Sequence, residues 1–243
     1  MKSTVCWCIT VSCLLAACTA AIAEPPAEQT DIQPAVSTLL QQATQAYRQM
    51  HSYQHTAELL DRNAQGAVTE DRAYTFALEL PNKFCYRSDD NGTDAVVCNG
   101  KLFTDFNSTA RDFIRYTAPA SYTQVDLVYG INFEGVASYM IALMLQGNVL
   151  ADTELRLGLE KADAPKIVTD NGVQYQMVSF PLKAGEPPIQ LYFDISTHLL
   201  HKSLMKTDGK GENAEIIENV KINQPIQPSL FQYTPPNGAR WVT

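Results

Sequence analysis

The sequence predicts an α+β fold: one strongly curved antiparallel β-sheet with helices covering its concave face. Three observations point there. Apolar residues recur at every second position. Tyr74, Phe76, Leu78 and Leu80 alternate with Thr75, Ala77 and Glu79, and Ile189, Leu191, Phe193 and Ile195 alternate with Gln190, Tyr192 and Asp194. Leu155, Leu157 and Leu159 read the same way. Such runs make strands with one apolar and one wetter face. Turn-forming residues separate the runs, at Asn63-Ala-Gln-Gly66, Asn91-Gly92, Asn99-Gly100, Asn171-Gly172 and Asp208-Gly209. Hairpins therefore join neighbouring strands in a meander of about ten. Only two segments carry helical spacing, so helices cover the sheet rather than alternate with its strands.

Taken in order, residues 1–23 read as an export leader: Lys2 is a minimal positive start and Val5 to Leu15 a short apolar core, too short to span a bilayer well. Two processing sites are legible. Leu15-Ala-Ala-Cys18 resembles a bacterial lipobox, which would make residues 1–17 a lipoprotein signal and Cys18 an acylated first residue. Ala21-Ile-Ala23 fits cleavage before Glu24, and Cys18 is then only one of four leader cysteines with Cys6, Cys8 and Cys13. Either route places the protein in the periplasm. On the first, Thr19 after the cysteine points to an outer-membrane anchor. Residues 24–33, rich in Pro, Ala and Glu, read as a tether, and residues 34–243 as one domain.

The domain opens with a helix, about Pro34 to Met50. Val36, Leu39, Leu40, Ala43, Tyr47 and Met50 fall on one face, and Pro34 suits a first turn. A second helix interrupts the strands at Phe133 to Leu145, where Val136, Tyr139, Met140, Leu143 and Met144 make a broad apolar face and Gly147 is a C-cap. Near the end, Pro225 and Pro228 force an extended path. Leu230, Phe231 and Tyr233 then read as a short edge strand, closed by Pro235-Pro-Asn-Gly238.

Beyond the leader only Cys85 and Cys98 remain. A hairpin turning symmetrically about Asn91-Gly92 sets them opposite each other at a non-hydrogen-bonded position, where an oxidising compartment favours a disulfide. The alternative is two free buried thiols.

The net charge of −8 makes nucleic acid a poor partner, because phosphate binding needs clustered cations. Catalytic motifs are absent: no G-x-S-x-G elbow, no H-E-x-x-H and no phosphate-binding glycine loop. His51 and His55 straddle a helix-to-strand transition, while His198 and His201 point to opposite faces of a strand. All four read as surface or boundary residues rather than metal ligands. Asp61 to Gly66 begins like a calcium loop, but Arg72 stands where a bidentate acid is required. No metal and no cofactor are expected, and the chain reads as a non-enzyme.

Several short motifs carry a resemblance. They are Tyr47-x5-Tyr53, Leu80-Pro-Asn-Lys-Phe84, Asn99-Gly-Lys-Leu-Phe103 and the C-terminal Ser229-Leu-Phe-x-Tyr-Thr-Pro-Pro-x-Gly-Ala239. In order and spacing the chain, from about Val36 to Val242, resembles the bacterial lipoprotein-carrier family (LolA-like, with LppX-like and sigma-regulator relatives). The resemblance implies an incomplete, half-open barrel with a helical lid and a lipid-handling role outside the cytoplasm. The chain departs from the pattern at Leu80, where carriers often place an arginine. That departure, and an anchor at Cys18, fit an anchored lipid-binding module better than a diffusing shuttle. The ligand expected is the acyl chain of a lipid or lipoprotein, held in a groove lined by Tyr74, Phe76, Leu78, Phe84, Met140, Leu143, Met144, Leu191 and Phe193. Methionines adapt to variable ligands, and each buried methylene contributes about 0.8 kcal/mol. Two other readings stay open. The same residues could pack as a closed core, and the same fold could serve as an envelope sensor that binds a protein partner.

Overall fold

The structure is a computed structural model and describes residues 32–88, 94–122, 135–147, 149–150, 152–181, 187–207 and 211–242. The leader, Cys18, most of the tether, Asn91-Gly92 and Asp208-Gly209 lie outside the described residues. Helix α1 (Pro34–Arg48) starts on a proline and buries Val36, Leu39, Leu40, Ala43 and Tyr47, the predicted face. A long hairpin follows, β1 (Ser52–Arg62) and β2 (Val68–Glu79). Its turn is held by the Asn63 side chain, whose Oδ1 accepts from the N–H groups of Gln65 and Ala67, each at 3.0 Å. The calcium-like segment is thus the hairpin turn that the sequence implies.

The meander continues through β3 (Lys83–Ser88), β4 (Ala95–Asn99), β5 (Leu102–Asn107) and β6 (Asp112–Thr117). After helices α2 (Val136–Gln146) and α3 (Thr153–Leu159) it resumes with β7 (Lys166–Asp170), β8 (Val173–Phe180), β9 (Ile189–Asp194), β10 (Leu200–Thr207) and β11 (Gly211–Ile222). The Asn171-Gly172 turn between β7 and β8 has both residues at positive φ, 50° and 81°, the backbone that a tight hairpin demands. A short β12 (Arg240–Trp241) pairs with β6 in parallel. The single sheet runs β12-β6-β5-β4-β3-β2-β1-β11-β10-β9-β8-β7 and is open, with β12 and β7 at its edges.

The curvature follows from the core. Phe103 on β5 and Val178 on β8 belong to one buried cluster. Between those strands lie eight steps of about 4.8 Å, so a flat sheet would hold them about 40 Å apart. Both strands instead border one core, which they share with helices α1 and α2, and the open sheet forms a trough around it. Helices α1 and α2 lie in that trough against each other, and α2 also touches β10 and β11. Ala77, Cys85, Val97, Ile226 and Phe231 form a smaller cluster on the convex side.

Three expectations are corrected. Leu155, Leu157 and Leu159 lie on helix α3, not on a strand. Asp152 caps it, accepting from Leu155 N at 2.7 Å, and the i, i+4 pair Leu155 and Leu159 is buried while Leu157 is 44% exposed. A cap and a four-residue spacing override three alternating leucines. Leu230, Phe231 and Tyr233 do not form an edge strand. Pro228–Phe231 is a 3-10 turn, which proline tolerates at its start, and Phe231 packs on the convex cluster. No disulfide joins Cys85 and Cys98: both thiols are buried. Phe84 pairs with Cys98 and Cys85 with Val97, one residue off the symmetric register. A one-residue slip reverses the face, so Cys98 enters the concave core and Cys85 the convex cluster.

Helix α3 also contains a close approach. A Cβ on Gly158 would stand 2.6 Å from the Pro181 carbonyl oxygen and 3.0 Å from the Phe180 ring. Gly→Ala inside a helix ordinarily gains about 1 kcal/mol. Here overpacking of about 1–3 kcal/mol outweighs it, and Gly158→Ala is expected to lower the melting temperature.

Candidate functional site

The nine residues predicted to line a groove come together in the concave trough, in two sets. Six belong to the sheet. Register puts Leu78 beside Tyr53, Phe76 beside His55 and Tyr74 beside Ala57, then Phe84 beside Leu78, with Leu191 and Phe193 on β9 across the trough. The other three, Met140, Leu143 and Met144, belong to α2. Tyr74 is 6% exposed and the other eight are at most 1% exposed. A water-wide hollow beside these side chains would register as exposed surface, so in this conformation the trough is filled. None of the four cavities found among the described residues is lined by any of the nine. One of them, about 610 Å³, is a groove on α1 lined by Gln41, Gln45, Arg48, Gly147, Val149 and Leu150.

Helix α2 packs in the trough against α1, β10 and β11. Its sequence VASYMIALMLQ has no charged residue, and eight of its positions are buried. Gly147, at φ 76°, ends it in the left-handed conformation, as expected of a C-cap glycine. Beneath it runs an aromatic row. Tyr53 meets Tyr47 edge-on at 5.4 Å, His55 stacks on Phe76 at 5.0 Å and 7°, and Phe76 meets Phe84 edge-on at 5.4 Å.

A buried polar chain, not foreseen from the sequence, crosses this apolar interior. Tyr47 on α1 accepts from Leu200 N at 3.2 Å and is hydrogen-bonded to Tyr53. Tyr53 Oη lies 3.1 Å from His55 Nδ1, and His55 Nε2 lies 3.4 Å from Ser138 Oγ on α2. Ser138 Oγ donates to Glu215 on β11 at 2.5 Å. The Glu215 carboxylate also accepts from Ala137 N at 2.6 Å and Ser138 N at 3.0 Å, and Ser203 hydrogen-bonds it from β10. It therefore caps the N-terminus of α2, where a negative charge is favoured. Burial pushes the Glu215 carboxyl up, and the Ser138, Ala137 and Ser203 hydrogen bonds draw it partway back. Burial holds His55 down at about 3. His55 is fully buried, not the boundary residue expected. Ser138, His55 and Glu215 are at most 2% exposed, and Ser138 donates to the carboxylate rather than meeting histidine at close range. The trio is a capping arrangement.

Part of this chain was readable. Glu215 shares strand parity with Ile217, and His55 with Tyr53, Ala57 and Leu59. A charge and an imidazole on apolar faces are the signal. Their partner Ser138 lies 77 residues from Glu215 and had no sequence signature. Among the described residues, Tyr122 Oη is buried without a hydrogen-bond partner, beside Phe84 at 5.8 Å.

No family model and no curated protein matches the sequence. Among solved structures, the chain is similar to an uncharacterized conserved protein from Thermus thermophilus, with a TM-score of 0.48 and 11% identity over 85% of this chain and 97% of that one. LprF from Mycobacterium bovis follows, with a TM-score of 0.40 and 13% identity over 86% and 99%. A LolA superfamily protein from Nitrosomonas europaea has a TM-score of 0.34 and 10% identity over 82% and 97%.

Proposed function

We propose that this chain is a non-enzymatic binder of an acyl chain, lipid or lipoprotein, and that α2 occupies the binding trough until the ligand replaces it. The observation that carries the reading is the split of the lining. Six of the nine residues stand on the open sheet and three on a helix without a charged side chain that is not part of that sheet. An apolar concave face has to be covered, and helix and hydrocarbon cover it equally well at about 25 cal/mol per Å². A core filled only by its own strands would have no such replaceable part. The polar chain fixes α2 at its first turn and Tyr139 bonds Asp152, while its other buried side chains, from Met140 to Leu145, are apolar and make packing that an acyl chain reproduces.

Two variants separate this reading from a permanent core. Met144→Ala weakens the helix-side packing and leaves the sheet face intact. It is expected to raise affinity for a fluorescent fatty acid by about tenfold, the equivalent of about 1.4 kcal/mol shifted toward the open form. Leu191→Ala removes sheet-side contact and is expected to lower that affinity. Natively purified protein is expected to carry lipid by mass spectrometry. If neither variant binds the fatty acid and the purified wild type is lipid-free, α2 is core and the proposal is wrong. Periplasmic location and acylation of Cys18 belong to the same proposal, and a Cys18→Ala chain that keeps the wild-type mass after export would remove the anchor from it.

A protein partner is the second reading, favoured by edge strand β7, where Ile167 is 67% exposed and Val173, in the following turn-linked strand, 44% exposed. An open edge accepts an added strand. Under that reading the protein is lipid-free and Ile167→Lys abolishes the pairing.

A further inference from the structure

We propose that the groove on the outer side of α1 is a second binding site, separate from the trough. Its ligand is a single-chain amphiphile with an anionic head, a carboxylate or a phosphate, and Arg48 holds the head.

The groove has the size and the lining of a small-molecule site. Its volume, about 610 Å³, lies within the range of ligand pockets. Ser37, Gln41, Thr44, Gln45 and Arg48 form one wall. Spacings of three and four set them in one row along α1, about 16 Å long at 1.5 Å per residue. Leu40 and Val149, themselves largely buried, and Leu150 supply the apolar floor and far side. A long hollow that is apolar below and rimmed by neutral amides and hydroxyls fits one extended chain better than a compact polar solute.

Arg48 closes one end of it. Among the described residues that line the groove none is acidic, and Arg48 carries the one charge. The chain has 26 acidic residues and a net charge of −8, yet no ion pair among the described residues engages Arg48. The guanidinium is also positioned. It lies over the left-handed cap of α2, where a Cβ on Gly147 would stand 3.2 Å from Arg48 Cδ and 3.5 Å from Cζ. Glycine there leaves the arginine room to lie across the end of the groove. A place in the last turn of α1 suits the helix dipole, but the dipole asks only for a positive charge, not for one laid on Gly147. A planar guanidinium without a carboxylate partner selects a carboxylate or a phosphate, which it meets with two parallel hydrogen bonds. Its aliphatic stem adds apolar surface beside the chain.

The test titrates the full chain, labelled with nitrogen-15, with decanoate, decyl phosphate, decanol and acetate, each below any micelle concentration. Decanoate and decyl phosphate are expected to shift the amide signals of Gln45, Gly147, Val149 and Leu150 to saturation. Decanol has the same chain and no charge, and is expected to bind there about tenfold more weakly, the share of a charge-assisted contact. Acetate, a head without a chain, is expected not to saturate. Arg48→Gln is expected to bring decanoate down to the affinity of decanol and to leave decanol unchanged. Gln45→Trp fills the groove and is expected to remove binding of both. The two positions are exposed on α1, so neither change disturbs the core. Leu191→Ala, in the trough, is expected to leave the affinity read at Gly147 unchanged, so that groove and trough are measured separately. The site is overturned if decanol binds as tightly as decanoate, if Arg48→Gln leaves decanoate unaffected, or if the shifts gather around Leu191 and Phe193 instead. Saturation by acetate alone overturns the amphiphile as the ligand.

Discussion

Phe76→Ala is expected to cost about 3–5 kcal/mol of unfolding free energy, the largest loss from any single truncation in the trough. Phe76 is fully buried. It stacks on His55 and meets Tyr53 and Phe84 edge-on, so it joins β1, β2 and β3 at one point. Removing the ring leaves a cavity walled by strands, which relax little because ladder hydrogen bonds fix them on both sides. It also strips His55 of its stacking partner and brings the buried imidazole nearer to water. Chemical denaturation with a two-state fit measures the change as a shift in midpoint at unchanged slope. A loss below about 1 kcal/mol would mean that the trough is loosely packed or already penetrated by solvent.

Acid is expected to do nearly as much. His55 is held neutral by burial, with its pKa at about 3 instead of 6.5. The folded chain therefore binds fewer protons at this site than the unfolded chain between those values. Stability is fully present above pH 6.5, falls as pH drops through the interval and levels off below about 3. The interval corresponds to a loss on the order of 4–5 kcal/mol. His55→Phe keeps the flat stack on Phe76 and removes the proton. That variant is expected to lose less stability between pH 7 and pH 4 than the wild type, by on the order of 3 kcal/mol. Equal acid losses in the two chains would mean that the imidazole is reached by water in the folded state.

The fold was legible wherever a pattern was local. The α1 face, the Asn63 and Asn171-Gly172 turns, the apolar α2 and its Gly147 cap are each decided within a few residues. The errors arose where local and non-local signals compete. Three alternating leucines imitate a strand, but Asp152 caps a helix there. The β3–β4 register depended on a turn symmetric to the residue, and a slip of one sent the cysteines to opposite faces. The trough residues were found because period two marks a face. That the hollow is filled depends on where α2 docks, which no short stretch of sequence encodes. Glu215 and His55 share parity with apolar neighbours, a signal that the sequence reading passed over, and the hydrogen-bond chain through Ser138 exists only once β1, β11 and α2 converge.

On the proposed function, a helix attached to the chain whose cleft it fills is a rival that dilution cannot remove. Tethered segments compete at effective concentrations of about millimolar, so a free hydrocarbon has to win against an opponent always at hand. Apparent affinity is then a ratio of two occupancies, set as much by the hold on the resident helix as by the greasiness of the walls. On that proposal selectivity follows from the same contest: weak amphiphiles would be turned away, and only guests offering more contact than eleven residues of helix would take the place.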